Sequence, residues 1–533
     1  MNTLPDQADR DAAVADTATS ILVEASAGTG KTTTLVRRIL ELVLADGVPL
    51  SRIAAMTFTE KAAGEMKERL RAALDDAAAT GEDPLRRRRA AEARRDLEAA
   101  PISTLHAFCG RLLRERPVEA CVDPDFVTPE ESVTEELLDA VFAEWLDRTA
   151  REEGPVADAL RQGLAPSELR ELARELYSDR ALVLASPIEP DPVPFARRET
   201  LRLALAGSDL CDEVPGEGRG EKKALLLAAA VSELGEVAQA DDEALASFVP
   251  SVEISLVGGK RGLWSPELKS GVDQFRKDVK ALAALVREIP RSRLLAAVVD
   301  AILSGLFPAL EAEKSRRGLL DFEDLLLRAR DLLRSSPAAR EHFRTRFQTI
   351  IVDEFQDTDP VQAEIVLRLA AGESDQESGA WQELDPGGGA LFLVGDPKQS
   401  IYRFRRADVE TWRQVAPRFP AGARKTLTTS FRAGPDLVSF VNGVFSRVFA
   451  ECEEPWEVSY APLSPRPGAT PGESPAVLYL APPAAGDEEL PEGEDLKGSA
   501  LEARAVANLL RERFAGRPNG WEGIAVLVSR NES

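Results

Sequence analysis

Residues 22–35 read LVEASAGTGKTTTL, an apolar run that ends in a glycine-bearing turn and continues into Lys-Thr. No other stretch limits the possible folds as sharply. A buried strand, a tight turn and a helix opening on Lys-Thr curl successive backbone N–H groups into an anion nest. The helix start adds the positive end of its dipole. Gly28 and Gly30 let the backbone approach a phosphate with no Cβ in the way. The usual pattern G-x-x-x-x-G-K-[ST] wants a glycine where Ala25 stands. That first glycine mainly ends the strand, so alanine fits wherever the backbone keeps φ negative. The turn Ala25, Ser26, Ala27, Gly28, Thr29 and Gly30, with Lys31, Thr32 and Thr33 opening the helix, is therefore the candidate nucleotide cradle. Lys31 is expected to reach the β- and γ-phosphates, and Thr32 to ligate Mg²⁺.

The fold class follows from what surrounds this turn. Ser20 to Glu24 reads as a strand, Gly30 to Ala45 as a helix, Ile53 to Phe58 as a strand and Glu60 to Leu74 as an amphipathic helix. Such β-α-β-α alternation predicts an α/β fold with a parallel sheet covered by helices. From about Glu131 to Gly318 strand signals thin out, and Leu, Ala, Arg and Glu recur at helical spacing. This reads as a large helical insertion, broken at Ser186 to Pro194 and Gly258 to Gly262. Alternation returns at Thr349 to Asp353 and Ala390 to Gly395, with Gly372 to Gly389 between them as a surface loop. A further unit begins near Lys425. It has a helix at Pro435 to Phe449, a strand near Ala476 to Leu480, mostly loop from Pro462 to Gly498, a helix at Leu501 to Phe514 and a strand at Ile524 to Val528. The expected division is 1–125, 126–318, 319–424 and 425–533.

A second chemical signal lies in IIVDEFQDT, residues 350–358. A buried apolar run ending in Asp-Glu is what metal-assisted phosphoryl transfer requires. Asp353 is placed to hold Mg²⁺, and Glu354 to orient and deprotonate an attacking water. Farther on, Tyr402 and Phe404 alternate with Arg403, Arg405 and Arg406. Aromatic-basic clusters of this kind bind single strands by stacking and phosphate contacts. Arg86 to Arg89 differs, because acidic residues flank it on a helix; a salt-bridge lattice is the expected role there.

Composition narrows the remaining classes. Four scattered cysteines without a C-x-x-C pair, and only two histidines, offer neither a disulfide framework nor a zinc site. No run of about 20 apolar residues and a polar, acidic N-terminus give no signal peptide or membrane span, so a cytoplasmic location is expected. The net charge of −24 argues against strong non-specific DNA binding, although a local basic groove can exist in an acidic chain.

Seven blocks then occur in one order: EASAGTGKT (24–32), MTFTEKAAGEM (56–66), ISTLHAFCGRLLR (102–114), DFEDLL (321–326), VDEFQDTDPVQ (352–362), LVGDPKQSIYRFRRAD (393–408) and LTTSFRAG (427–434). With them the chain resembles superfamily 1 DNA helicases of the UvrD/Rep type, and most of all the RecB/AddA branch of helicase–nuclease motor subunits. The resemblance implies two RecA-like domains, the second present in part, with ATP and Mg²⁺ bound between them. It implies 3′ to 5′ movement on single-stranded DNA, action on duplex ends in double-strand-break repair, and a nuclease-bearing partner.

Residue roles implied by the resemblance follow the blocks. Gln7 matches a glutamine that reads the adenine edge, at slightly long spacing from Lys31. Thr57, Phe58 and Thr59 match one single-strand contact block, and Thr104 and His106 another. Gln399 matches a γ-phosphate sensor coupled to DNA, and Tyr402 and Phe404 match DNA-contact aromatics. Arg432 matches an arginine on the γ-phosphate, beside Phe431 where an aromatic stacks on adenine. Relatives of this kind continue past the point reached at Ser533, so the chain reads as C-terminally truncated. It is expected to bind ATP·Mg²⁺ but to hydrolyse it poorly. The alternative is an inactive ATP-binding scaffold piece of a helicase–nuclease complex.

Overall fold

The computed structural model describes residues 3–185, 193–218, 222–247, 264–372, 380–403, 406–449, 458–469, 503 and 506–512. Phe404, Arg405, the strand expected at Ala476 to Leu480 and that at Ile524 to Val528 lie outside the described residues. The chain divides into two compact units. The larger comprises residues 13–23 and 32–425, and the smaller residues 1–12, 24–31 and 426–533.

A six-stranded parallel sheet organises the fold. Its strands are β1 (Ile21–Ala25), β2 (Ile53–Thr57), β3 (Ile102–Thr104), β4 (Thr349–Val352), β5 (Leu391–Gly395) and β6 (Arg424–Leu427), in the order β3-β2-β4-β5-β1-β6. The central strands β2, β4 and β5 are buried at every residue, as continuous apolar runs covered on both faces must be. Register aligns the strand tips: Thr57 lies opposite Thr104, and Met56 opposite Val352. Ile350 pairs with Leu391, and Ser20 ties the start of β1 to β5 by accepting from Leu391 N–H and donating to the Gly387 carbonyl.

The helices α1 (Gln7–Ala15), α2 (Lys31–Leu44), α3 (Glu60–Thr80), α4 (Pro84–Asp96) and α5 (Leu105–Glu115) accompany the first three strands. The helix expected to stop at Leu74 runs on to Thr80 because an alanine-rich stretch carries it to Gly81. Arg86 to Arg89 sit on α4 as expected. Arg88 pairs with Glu92 and Arg86 with Glu41, while Arg89 donates to the Leu44 and Ala45 carbonyls at the end of α2.

Between Val127 and Leu319, which form an isolated parallel bridge, the described chain is helical. Helices α6 (Glu131–Thr149), α7 (Pro155–Arg161), α8 (Pro166–Ser178), α9 (Arg180–Ala185), α10 (Val193–Glu213), α11 (Lys222–Gln239), α12 (Asp242–Ala246), α13 (Pro266–Ala301) and α14 (Phe307–Arg316) follow in order, and all but α9 supply residues to two apolar clusters. Within Pro266–Arg316 an 18-residue window reaches a mean hydropathy of 1.8, long and apolar enough to cross a membrane by length and composition. Val298, Ile302, Leu306 and Leu310 of that stretch share an apolar cluster with Phe142, Trp145 and Leu169, and 28% of the window is buried.

The chain returns through α15 (Phe322–Ser335), α16 (Pro337–Arg346), α17 (Pro360–Ala370) and α18 (Val409–Val415), whose apolar faces join the sheet in one core. Of the expected surface loop Gly372 to Gly389, the described residues 380–389 depart from that expectation. Trp381 and Leu384 are buried in that core, and Ala371 bridges Pro386. The Pro/Gly/acid composition hid two large apolar side chains that have nowhere else to go. In the smaller unit, β7 (Thr429–Ser430) pairs with β8 (Ser464–Pro465), and α19 (Pro435–Val448) packs beside them.

Candidate nucleotide site and nucleic-acid contacts

Parallel strands place their C-terminal ends on one edge of a sheet, where ligands bind in open α/β folds. In the larger unit Asp353 and Glu354 leave β4 there, and Asp396 to Gln399 leave β5.

In the smaller unit the phosphate turn has the nest geometry. Gly28 and Gly30 hold φ of 76° and 88°, in the left-handed region. The Phe431 N–H donates to the Gly28 carbonyl at 2.8 Å. A Cβ on Gly28 would stand 2.7 Å from Arg432 Cβ, so no larger residue fits. Phe431 and Arg432 are therefore seated against the turn, and both are exposed. Lys31 and Thr32, at the start of α2, are half-buried.

In the larger unit the acidic strand end is tightly organised. Glu354 adopts φ 52°, a left-handed conformation that costs a non-glycine residue roughly 1–2 kcal/mol. Such strain clusters at functional sites. The Asp353 carboxylate accepts from the Glu354 N–H at 3.0 Å, and the Asp353 N–H donates to the Met56 carbonyl. Buried Gln356 donates through Nε2 to Glu354 Oε2 at 2.9 Å, and its Oε1 accepts from the Asp396 N–H at 2.8 Å. Asp396 in turn accepts from Gln399 Nε2 at 2.8 Å and pairs with Lys398 at 2.9 Å. Gly395 before it has no room for a side chain, since a Cβ would lie 2.5 Å from Gln356 Oε1. Sequence reasoning found Glu354 and Gln399 but missed Gln356 and Asp396, which join them. The available signal was a glutamine beside the two carboxylates of IIVDEFQDT.

Hard oxygen ligands suit Mg²⁺, and the Thr32 hydroxyl and the Asp353 carboxylate are the oxygen donors that could hold it. Among the described residues no group of three or more His, Cys, Asp or Glu side chains clusters to hold a metal by itself.

The described residues among the expected nucleic-acid contacts end or follow strands β2, β3 and β5 in the chain. The Phe58 and Tyr402 rings stand 4.8 Å apart. Thr57 Oγ1 donates to the Thr59 carbonyl, Thr59 caps α3, and Thr104 caps α5 while donating to Glu60 Oε1 at 2.7 Å. His106 meets Phe322 edge-on at 5.9 Å, and burial lowers its pKa, which favours the neutral ring. Arg406 corrects the picture of a free basic cluster. It pairs with Asp179 at 3.0 Å and Glu323 at 2.6 Å, so its charge is held by carboxylates.

A parallel sheet with a phosphate turn on β1 and an acidic tip on β4 defines a RecA-like P-loop fold. The family described as UvrD/REP helicase N-terminal domain matches residues 6–420, and the chain belongs to that family. Among curated proteins it is similar to the ATP-dependent helicase/nuclease subunit of Geobacillus kaustophilus, 28% identical over 97% of this chain and 46% of that one. The protein of the same name from Geobacillus thermodenitrificans is 28% identical over 95% of this chain and 44% of its own length. That from Syntrophomonas wolfei is 27% identical over 83% and 38%. The chain thus spans less than half the length of these relatives.

Proposed function

We propose that this chain is the ATP-hydrolysing motor part of a DNA helicase of the RecB/AddA kind. It moves 3′ to 5′ on single-stranded DNA and serves double-strand-break repair within a helicase–nuclease complex. The observation that carries this reading is the hydrogen-bonded path from Glu354 through Gln356 and Asp396 to Gln399. Three residues beyond Gln399 stands Tyr402, packed on Phe58. A hydrolytic carboxylate wired to a strand-contact loop is what a nucleic-acid motor needs and a nucleotide kinase does not.

In this reading the turn from Ala25 to Gly30 cradles the phosphates, and Lys31 offsets their charge. Thr32 and Asp353 hold Mg²⁺, which when bound neutralises charge on the transferring phosphoryl group. Glu354 takes the proton of the attacking water, Gln399 and Arg432 respond to the γ-phosphate, and Phe431 offers a face to the base. Thr57, Phe58, Thr59, Thr104, His106, Tyr402 and Phe404 hold the strand. Residues 1–125 and 319–424 form the first motor domain, 126–318 an insertion and 425–533 part of a second. The Val127–Leu319 bridge, where the excursion closes on itself, supports that division.

Calorimetry with Mg²⁺ and a non-hydrolysable ATP analogue tests the site, and ATPase assays with and without single-stranded DNA test the coupling. Binding that Lys31→Ala abolishes, with a slow hydrolysis that DNA raises, is expected. Analogue binding unaffected by Lys31→Ala removes the proposal.

A further inference from the structure

The nucleotide base is the least specified part of this site, and the smaller unit contains a side chain that the sequence did not single out. Gln7 opens α1, but its amide donates to Asp11 one turn along, on an exposed face. Arg10, one turn further, is buried to within 6% of full cover. Its Nε and Nη2 are fixed by both oxygens of Asp6, at 2.9 and 2.8 Å, and Nη2 also donates to the Thr429 carbonyl at 3.3 Å. Asp6 is itself clamped, accepting from Thr428 N–H, Thr429 N–H and the Thr429 hydroxyl. None of these bonds uses Nη1. That nitrogen faces the phosphate turn, 3.6 Å from where a Cβ on Gly30 would stand, and the Phe431 ring edge lies 3.8 Å from the same point. The guanidinium carbon is 5.1 Å from the Phe431 ring centre.

We propose that Arg10, oriented by Asp6 and packed on Phe431, is the base-edge contact of this nucleotide site, and that it gives the chain a purine preference broader than adenine. This rests on the ATP site proposed above. Guanidinium is donor-only. A glutamine amide offers a donor and an acceptor together and matches the N6/N7 edge of adenine, whereas an arginine matches N7 and O6 of guanine. Arg10 can donate to N7 of either purine but has nothing to accept the adenine amino group. Adenine therefore gains no advantage over guanine at this contact. The rigid Asp6 pair keeps the guanidinium from turning away, as a preorganised contact requires.

The test measures Kd for Mg²⁺ complexes of ATP, GTP and CTP analogues, and for inorganic tripolyphosphate, on wild type, Arg10→Gln, Arg10→Ala and Gln7→Ala. Wild type is expected to bind ATP and GTP within a few-fold of each other and both ahead of CTP. Arg10→Ala raises Kd for both purine nucleotides by roughly ten- to a hundredfold, the value of one charge-assisted hydrogen bond, and leaves tripolyphosphate binding in place. Arg10→Gln shifts the ratio toward ATP, and Gln7→Ala keeps the wild-type ratio. Base discrimination lost in Gln7→Ala and kept in Arg10→Gln overturns the proposal, as does strong preference for ATP over GTP in wild type. A fall in tripolyphosphate binding with Arg10→Gln in a chain of unchanged melting temperature also overturns it, by assigning Arg10 to phosphate. Absence of tripolyphosphate and ATP binding in wild type would instead sink the underlying ATP-site reading.

Discussion

Replacing Gln356 by leucine isolates the link between the two strand tips. The side chains are similar in size, so the buried volume barely changes. Three polar groups lose a partner. The Asp396 N–H, in a residue 2% exposed, is left buried with no acceptor at Gln356. That costs about 1–3 kcal/mol. The Glu354 and Asp357 carboxylates lose the amide donor at 2.9 and 3.2 Å, although Glu354 is half-buried and water repairs part of that loss. A total of about 2–4 kcal/mol is expected, together with a freer Glu354 and a Gln399 no longer tied to it. Urea denaturation of both proteins at pH 7 reads the stability change. Nucleotide affinity and DNA-stimulated hydrolysis read the function. Affinity is expected to change little, because Lys31 and the turn are untouched, while stimulation by single-stranded DNA falls at least tenfold. Gln356→Glu keeps the acceptor for Asp396 but sets a third carboxylate against Glu354 and Asp357; it is expected to lose hydrolysis with less loss of stability. A Gln356→Leu protein within 0.5 kcal/mol of wild type (on the order of ordinary surface changes) and with unaltered stimulation would refute the coupling path.

Two further outcomes concern buried charge. Lys314, 2% exposed, is ringed by Asp324 at 2.6 Å, the Tyr177 hydroxyl at 2.7 Å and Asp321 at 3.4 Å, with Arg180 on the same two carboxylates. Lys314→Met leaves those carboxylates short of a counter-charge and is expected to cost roughly 3–5 kcal/mol in denaturation; a neutral result would show that the network is loosely solvated. Asp6 sets an acid limit. Burial alone would raise its pKa, but Arg10 and the Thr429 donors more than offset this and lower it from 3.8 to about 2. A depressed carboxylate stabilises above its unfolded pKa and loses that effect as pH falls through its folded one. About 2 kcal/mol should therefore disappear between pH 4 and pH 2. Asp6→Asn should flatten that part of the stability–pH curve, and an unchanged slope would contradict it.

The local elements were legible because they are written in short-range physics. An apolar run before GTGKT has to be a strand meeting a helix, and the runs ahead of Asp353 and Asp396 are too apolar to lie anywhere but in a covered sheet. The insertion was visible as a change of hydrophobic period, and Arg86 to Arg89 as a helix face balanced by Glu41 and Glu92. Residues 372–389 misled because composition reports average polarity, while two side chains, Trp381 and Leu384, decide burial.

Sequence by itself determined the groups on which the proposed triphosphate site rests: the nest-forming turn, Lys31, Thr32, and the carboxylates of Asp353 and Glu354. Folding alone decided how they are wired. Gln356 meets Asp396 only because β4 and β5 pair in parallel, Arg406 is claimed by Asp179 and Glu323 rather than left free, and Arg10 faces the phosphate turn. Hydrogen bonds reach about 3 Å, so partners hundreds of residues apart in the chain are chosen by strand order and register, which no local stretch of sequence encodes.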